Sequence, residues 1–281
     1  MNLPEKNLDT PFNITRASHV VMTVKDLAAS RRFYTELVGL VVSDEDADTV
    51  YLRGLEEACH HSMVLKQSND APVCETLGMR VLREKDLDLL KAYLDGKGCK
   101  TEWLEVLHQG RTLRVSDISG VRVEFCASMT VVPRPLTQFH LYKGGCAHRI
   151  DHYQILVPDV QAACDFYMAQ GFRLSEYIVA DTVEEVAGIF LQRKGNPHDI
   201  VYFRDPDGHR VELFTTHYQI MDIECEPIRW DKDSPMRKEI WGLPPLRSWV
   251  EDATPFAATK TQPPKLTEKG MTLERFLASR G

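Results

Sequence analysis

His152 and Glu212 are the residues whose types and setting best suit metal chemistry. His152 opens the apolar run His-Tyr-Gln-Ile-Leu-Val, and Glu212 ends the motif Asp205-Pro-Asp-Gly-His-Arg-Val-Glu212. If these two segments are neighbouring strands of one curved sheet, alternation of side chains lets His152 and Glu212 meet on its concave side. One His and one carboxylate make up two thirds of the facial triad that holds non-haem iron(II). The same residue types also occur as structural or surface groups, so spacing alone leaves both interpretations open.

An internal repeat supplies the elements that must position this pair. His19 and His152 each begin a run enriched in β-branched residues, and each run leads to an Asp, Asp26 or Asp159, at the start of an Ala-rich stretch. Asp is a favoured N-cap residue, and a Gly follows each stretch where a helix would end. Because further apolar, β-branched runs follow, the repeated unit is predicted to be βαβββ.

Three such units are predicted, near residues 17–67, 75–127 and 150–216. The predicted fold class is α+β, with the units forming curved mixed sheets. Glu124 ends the second unit as Glu212 ends the third, in matching hairpin motifs. The predicted domains are an N-terminal arm (1–16), a domain of two units (17–135), a shortened domain with one hybrid unit (136–221) and an irregular arm and tail (222–281).

Composition excludes several classes of protein. The 281 residues are 43% hydrophobic, with a formal charge of −7, which favours a globular chain and argues against nucleic acid as a partner. The N-terminus lacks the pattern of a secretory signal, and no apolar run approaches the length of a membrane span. Seven scattered cysteines without a CxxC pair indicate reduced thiols. We therefore expect a cytoplasmic protein without membrane or nucleic-acid partners.

The motifs together resemble the vicinal oxygen chelate superfamily and, within it, the type I extradiol ring-cleaving dioxygenases, especially the branch that acts on homoprotocatechuate (3,4-dihydroxyphenylacetate). The resemblance covers roughly residues 17–256. The segments that carry it are Thr49–Gln67, Arg149–His152, Pro197–Asp199, Asp205–Glu212, Trp241-Gly242 and Ser248-Trp249.

The resemblance implies an oxidoreductase that cleaves a catechol with an acidic side chain, using dioxygen and iron(II), or else manganese(II), in aromatic catabolism. Position by position, His152 and Glu212 match metal ligands. His198 matches an acid–base and oxygen-stabilising residue, since an imidazole titrates near neutrality. Tyr202 matches a phenol that donates a hydrogen bond beside the substrate and oxygen. From sequence alone, His198 could equally be a loop residue and Tyr202 a packing residue.

The sequence departs from the family pattern in its last third. Pro197–Ile200 passes directly to Val201, so most of a fourth unit is missing, and with it the second metal His. Lys238 stands where a substrate-binding Arg is expected, and Gln154 where relatives have Asn. These two differences from the family weaken the assignment of a substrate-binding role to Gln154 and Lys238.

Several consequences of this departure stay open. His19 and Glu124 could form a vestigial second metal site. Two chains could pair their third units and bring two copies of His152 and Glu212 around one metal, which predicts a homo-oligomer. A metal- or ligand-binding module without oxygenase activity, and an inactive truncated paralogue, are the alternative functions.

Overall fold

Two of the predicted units form one large sheet. The computed structural model describes residues 6–157, 159–180, 185–193, 201–204, 207, 209–213, 226, 228–231 and 254–257. In the first unit the strands are β1 (Ile14–Val24), β2 (Val41–Glu45), β3 (Thr49–Arg53) and β4 (Met63–Gln67). In the second they are β5 (Cys74–Val81), β6 (Thr101–Val106), β7 (Gly110–Ser116) and β8 (Arg122–Cys126).

The eight strands follow the order β2-β3-β4-β1-β5-β8-β7-β6. Each unit pairs its first and last strands in parallel, β1 with β4 and β5 with β8, and the two units join through the antiparallel pair β1–β5. The predicted α+β class with repeated βαβββ units is therefore confirmed. The residue boundaries of the domains stay predictions.

The helices begin and end where the sequence signals predict. Asp26 Oδ1 accepts from Ala29 N to cap α1 (Leu27–Arg32), which continues as a π-helical turn over Phe33–Val38. That turn ends at Gly39, whose φ of 86° suits glycine. Helix α2 spans Glu84–Gly96. Asp159 caps α3 (Val160–Met168) through Ala162 N, as Asp26 does for α1.

Alternation along the strands separates an apolar face from a polar one. Val20, Met22 and Val24 of β1 belong to the main core, together with Leu87, Leu90 and Leu94 of α2. His19, one residue before Val20, points by the same alternation to the opposite face. The helices thus cover one face of the large sheet, and polar residues such as His19 lie on the other face.

The third unit differs from the prediction in its first strand. Strands β9 (Arg173–Ala180), β10 (Glu185–Gln192), β11 (Val201–Arg204) and β12 (Arg210–Leu213) are present, but residues 151–157 form no strand. In the large sheet, β1 is held by β4 on one side and by β5, the opening strand of the next unit, on the other. Only residues 193–200 separate β10 from β11, too few for another opening strand and helix. The prediction failed because the described residues contain no opening strand of a following unit to pair with this segment.

The third unit nevertheless packs against each of the other two units through the hydrogen bonds of a hairpin aspartate. Asp117, in the hairpin of the second unit, accepts from Tyr167 Oη of α3 at 2.7 Å. Asp207, in the hairpin of the third unit, accepts from Lys25 N at 2.9 Å and from Ser30 Oγ at 3.2 Å. Equivalent hairpins therefore hold helices in different units, which fixes the β11–β12 hairpin against the first unit.

Part of the segment predicted as an irregular arm is ordered into sheets. Residues Ile228–Asp231 form β13, which pairs in parallel with β9. Pro255 and Ala257 hydrogen-bond to the backbone of Cys74 at the start of β5. The rest of the predicted tail, residues 258–281, lies outside the described residues. Among the described helices, none has the length and apolar content needed to cross a membrane.

Candidate metal centre

The two predicted metal ligands meet. Glu212 lies on β12, which pairs with β11, and His152 lies in the segment just before α3. The Nε2 atom of His152 is 3.1 Å from Oε2 of Glu212. Both side chains are largely buried, with 23% and 16% of their surfaces exposed, so the pair sits in a recess that solvent still reaches.

Asp151 completes a chain of three ionisable groups. Its Oδ2 is 3.2 Å from Nδ1 of His152, so each nitrogen of the imidazole faces a carboxylate. Burial lowers the pKa of His152, but the hydrogen bonds with Asp151 and Glu212 outweigh it and raise that pKa to about 9. The site therefore favours a positive charge at the imidazole or next to it.

The arrangement fits a metal ion. Two donor atoms that bind one ion at about 2.1 Å each, with a right angle between the two bonds, lie roughly 3 Å apart. The separation of His152 Nε2 and Glu212 Oε2 is close to this value. The other oxygen of Glu212, Oε1, is buried and has no hydrogen-bond partner among the described residues. An unsatisfied buried carboxylate oxygen is costly, and a cation would satisfy it. Asp151 stands where a group that orients a ligating His is commonly found.

The other predicted site residues lie at different distances from this centre. Tyr202 pairs in register with Glu212 across the β11–β12 ladder. Gln154 is exposed, two residues after His152. His198 and Lys238 lie outside the described residues.

Two nearby histidines do not join the centre. His209 is buried, and its Nε2 donates a hydrogen bond to the Thr23 carbonyl at 2.9 Å. His148 is half exposed and lies beside Glu56. His217 falls outside the described residues.

The first two units contain a counterpart of this centre. His19 on β1, Gly78 on β5 and Glu124 on β8 form one row across adjacent strands, since Gly78 is in register with both neighbours. The Nε2 atom of His19 is 3.7 Å from Oε2 of Glu124. A Cβ atom at residue 78 would overlap the His19 ring, so the missing side chain of Gly78 makes room for that imidazole.

Protein groups satisfy the carboxylate of this counterpart. Arg114 Nη2 lies 2.6 Å from Glu124 Oε1, and Gln109 Nε2 lies 3.3 Å from Oε2. Burial raises the pKa of Glu124, but His19 and Arg114 outweigh it and lower that pKa to about 2. Because the Arg114 guanidinium already balances its charge, the Glu124 carboxylate has little to gain from a cation, although Nε2 of His19 is buried without a hydrogen-bond partner among the described residues.

Sequence reasoning missed several residues that define the two centres. Asp151 and Arg114 gave no motif, because a single charged residue is indistinguishable from a surface group. Gly78 lies inside an apolar strand, and a strand glycine often marks a close approach of another group. Tyr153 lies within the apolar run after His152 and carries no motif of its own. Its hydroxyl in fact donates to the carbonyls of His19 and Gly78 and accepts from Ser18 N, which ties the approach to His152 to β1 and β5.

Comparisons with known proteins agree with the predicted fold. Residues 16–125 match the model of the Glyoxalase/Bleomycin resistance protein/Dioxygenase superfamily. The chain is 24% identical to a manganese-dependent 2,3-dihydroxybiphenyl 1,2-dioxygenase of Geobacillus genomosp. 3, with 83% of this chain and 95% of that protein aligned. It is 28% identical to a metapyrocatechase of Pseudomonas sp. (strain CF600), over 72% of this chain and 70% of the relative.

The structure is also similar to that of a substrate complex. Homoprotocatechuate 2,3-dioxygenase from Brevibacterium fuscum, bound to 3,4-dihydroxyphenylacetate, superimposes with a TM-score of 0.82 at 28% identity. The match covers 91% of this chain and 97% of the other. Residues 16–125 thus form a domain of the Glyoxalase/Bleomycin resistance protein/Dioxygenase superfamily, and the whole chain is similar in sequence and fold to extradiol ring-cleaving dioxygenases.

Proposed function

We propose that this protein cleaves a catechol ring in the extradiol position with dioxygen, using a metal held by His152 and Glu212. The observation that carries the proposal is the contact of His152 Nε2 with Glu212 Oε2 at 3.1 Å, beside a buried Glu212 oxygen without a partner. The pair belongs to a chain that aligns with its extradiol dioxygenase relatives over most of their length. The substrate class we infer is a catechol with an acidic side chain, such as 3,4-dihydroxyphenylacetate.

The chain's own residues would hold the metal and orient its ligands. His152 supplies a nitrogen and Glu212 an oxygen, while Asp151 fixes the ring by hydrogen bonding to Nδ1. A bound iron(II) would hold catechol and dioxygen side by side and pass electrons between them. Iron is our proposal for the metal, and manganese is the alternative, because one relative is named as manganese-dependent.

Two further residues are proposed to handle protons and developing charge. His198 would take or return a catechol proton, a role that suits a group titrating near neutrality. Tyr202 would donate a hydrogen bond to an oxygen of the reacting substrate. The register of Tyr202 with Glu212 on β11–β12 supports its assignment, because paired residues of adjacent antiparallel strands lie on the same face.

The site needs a third protein ligand for the metal, and we propose that a second copy of the chain supplies it. The chain between β10 and β11 is too short to carry the strand that would bring another His beside His152. Two chains that pair their third units would place two copies of His152 and Glu212 around one ion. A homo-oligomer in light scattering is expected, and a strictly monomeric active enzyme would exclude this arrangement.

The direct test is a ring-cleavage assay on the metal-free protein reloaded with iron(II) or manganese(II). We expect a yellow ring-opened product from 3,4-dihydroxyphenylacetate, and its loss in Glu212→Gln. His148→Gln is the matched control, because His148 is an exposed imidazole close in sequence that lies beside Glu56 instead. Failure of the reloaded wild-type protein to turn over any catechol would refute the enzymatic proposal.

A second candidate is a metal-binding module without oxygenase activity. It is favoured by the small donor set, since the described residues around the pair supply one imidazole and the carboxylates of Asp151 and Glu212. Stoichiometric metal without product would support this candidate. We also infer a cytoplasmic location, which the free thiols of the six described cysteines support.

A further inference from the structure

A second group of potential metal-binding side chains lies next to the His19–Glu124 row, where the two ends of the sheet approach each other, since His61 contacts both His19 and His60. Asp44 is on β2, the strand at one edge, and His108 is in the turn between β6 and β7 at the other edge. Nε2 of His108 is nevertheless 3.6 Å from Oδ2 of Asp44. His60, from the loop before β4, joins them, and one potential ligand atom from each residue lies within 4.8 Å of the others.

The hydrogen bonds around His60 leave one of its nitrogens available. His60 is buried, with 4% of its surface exposed, and its Nδ1 lies 3.2 Å from Nδ1 of His61. His61 is buried as well, and its ring lies edge-on to the His19 ring, with 5.5 Å between the centroids. The contact between the two Nδ1 atoms leaves Nε2 of His60 outside it, and a neutral imidazole can bind a metal through the lone pair of such a nitrogen.

The backbone of His108 is held in an uncommon conformation. Its φ is 64°, in the left-handed region that few residues other than glycine adopt, although His does so more readily than most. The carbonyl of His108 accepts from Thr130 N at 2.8 Å, which helps to fix the turn. Such conformations persist where the surroundings impose them and are frequent at functional sites. Here the turn directs the His108 ring over His60.

The two imidazoles are stacked, which defines the movement that metal binding requires. Their ring centroids are 3.7 Å apart and their planes differ by 6°. A nitrogen lone pair lies in the plane of its ring, so two parallel rings cannot both point to one ion. Tilting of the partly exposed His108 ring would bring its Nε2 toward the position shared by His60 and Asp44. Tyr51 contacts both rings edge-on and stays in place as a wall of the site.

We propose that Asp44, His60 and His108 bind a divalent transition-metal ion of the zinc class, with solvent completing the coordination. Two imidazoles and one carboxylate suit zinc, cobalt or nickel, whereas calcium and magnesium prefer oxygen donors alone. Because the ligands come from both edges of the sheet, the ion would join the first unit to the second. Its expected effect is on the stability of the fold, and it needs no part of the His152–Glu212 centre.

The test is zinc titration by calorimetry of the full-length, metal-free protein carrying Glu212→Gln, which disables the other centre. We expect one zinc ion per chain and a higher Tm in its presence. Asp44→Asn and His108→Asn, each in this background, should weaken zinc binding by more than about tenfold and remove the Tm increase. Asparagine is chosen at residue 108 because it tolerates a positive φ.

Asp46→Asn is the matched control, since Asp46 is an exposed acid just after β2 and outside the cluster. It should leave zinc affinity within about twofold of the background. Absence of zinc binding in the Glu212→Gln protein, or equal binding by Asp44→Asn and His108→Asn, would overturn the proposal. Neither result bears on ring cleavage, and an inactive wild-type protein that still binds zinc at this cluster would refute only the enzymatic proposal.

Discussion

The two His–Glu pairs of this molecule occupy equivalent places in the repeat but are completed in opposite ways. His19 and Glu124 have a strand between them, and Arg114 and Gln109 supply the donors that the carboxylate needs. Within the described part of the chain, no strand lies between the side chains of His152 and Glu212, whose Nε2 and Oε2 atoms are 3.1 Å apart. One oxygen of Glu212 is left without a partner among the described residues.

The difference shows how a duplicated unit can keep the same residues while only one copy suits a metal. In the first copy, a guanidinium lies where a cation would be useful, so the buried carboxylate is already neutralised. In the second copy, the imidazole lies between two carboxylates, whose combined charge favours a cation. The two copies differ in the charge of the residues that surround the His–Glu pair, and not in the pair itself.

Replacement of each carboxylate should give the largest contrast. Glu212→Gln is expected to lower ring-cleavage activity by more than about 100-fold, because the amide cannot supply the charged ligand. Glu124→Gln should leave activity within about twofold, since the two pairs act independently. Steady-state rates with iron(II), measured well below the Tm of each variant, would check this. Similar losses in both variants would show that the pairs are functionally coupled.

Removal of the guanidinium should destabilise the first pair. Arg114→Met leaves the Glu124 carboxylate buried without its main partner, which is expected to cost about 2–3 kcal/mol at neutral pH. The pKa of Glu124 is lowered to about 2. The stabilisation is therefore fully present at pH values above the usual pKa of a glutamate, and it is lost as the pH falls through about 2. Urea denaturation of both proteins over that range would measure it. A difference that does not shrink in acid would assign the effect to lost packing.

A side chain at Gly78 should disturb the same row by contact. Gly78→Ala places a methyl group against the His19 ring and is expected to cost about 1–3 kcal/mol through overpacking. Gly96→Ala is the control, because a Cβ there meets nothing within 4 Å, and it should stabilise by about 0.4–1 kcal/mol. Denaturant midpoints would compare the two. An unchanged midpoint for Gly78→Ala would mean that the His19 ring can move aside.

Tyr153 connects the two pairs, and its removal should have the smallest effect. Tyr153→Phe leaves the carbonyls of His19 and Gly78 without this donor, at a cost of about 1 kcal/mol, and should weaken metal binding at the neighbouring His152 by less than about tenfold. Tyr93→Phe removes a comparable hydrogen bond, to the Ala169 carbonyl, away from the metal centre. Metal titration should distinguish them, and equal affinities would show that Tyr153 does not position His152.

Much of the large sheet was predictable because its signals are local. The caps at Asp26 and Asp159, and strand β3 over Thr49–Arg53, follow from the residues at those positions. The strand predicted after His152 did not form, although its alternation survives, with Tyr153 packed on the core and Gln154 exposed. A strand needs a partner as well as a pattern, and that requirement is not local.

The sequence by itself determined the repeat, the α+β class, the N-caps and the equivalence of His19 and Glu124 with His152 and Glu212. These properties depend on periodicity and residue type, which are written along the chain. Only the tertiary structure decided which carboxylate is satisfied by protein groups, because Arg114, Gly78 and Asp151 act through register and distance. It also brought His108 to Asp44, since those residues lie at opposite edges of a sheet that must curve before they can meet.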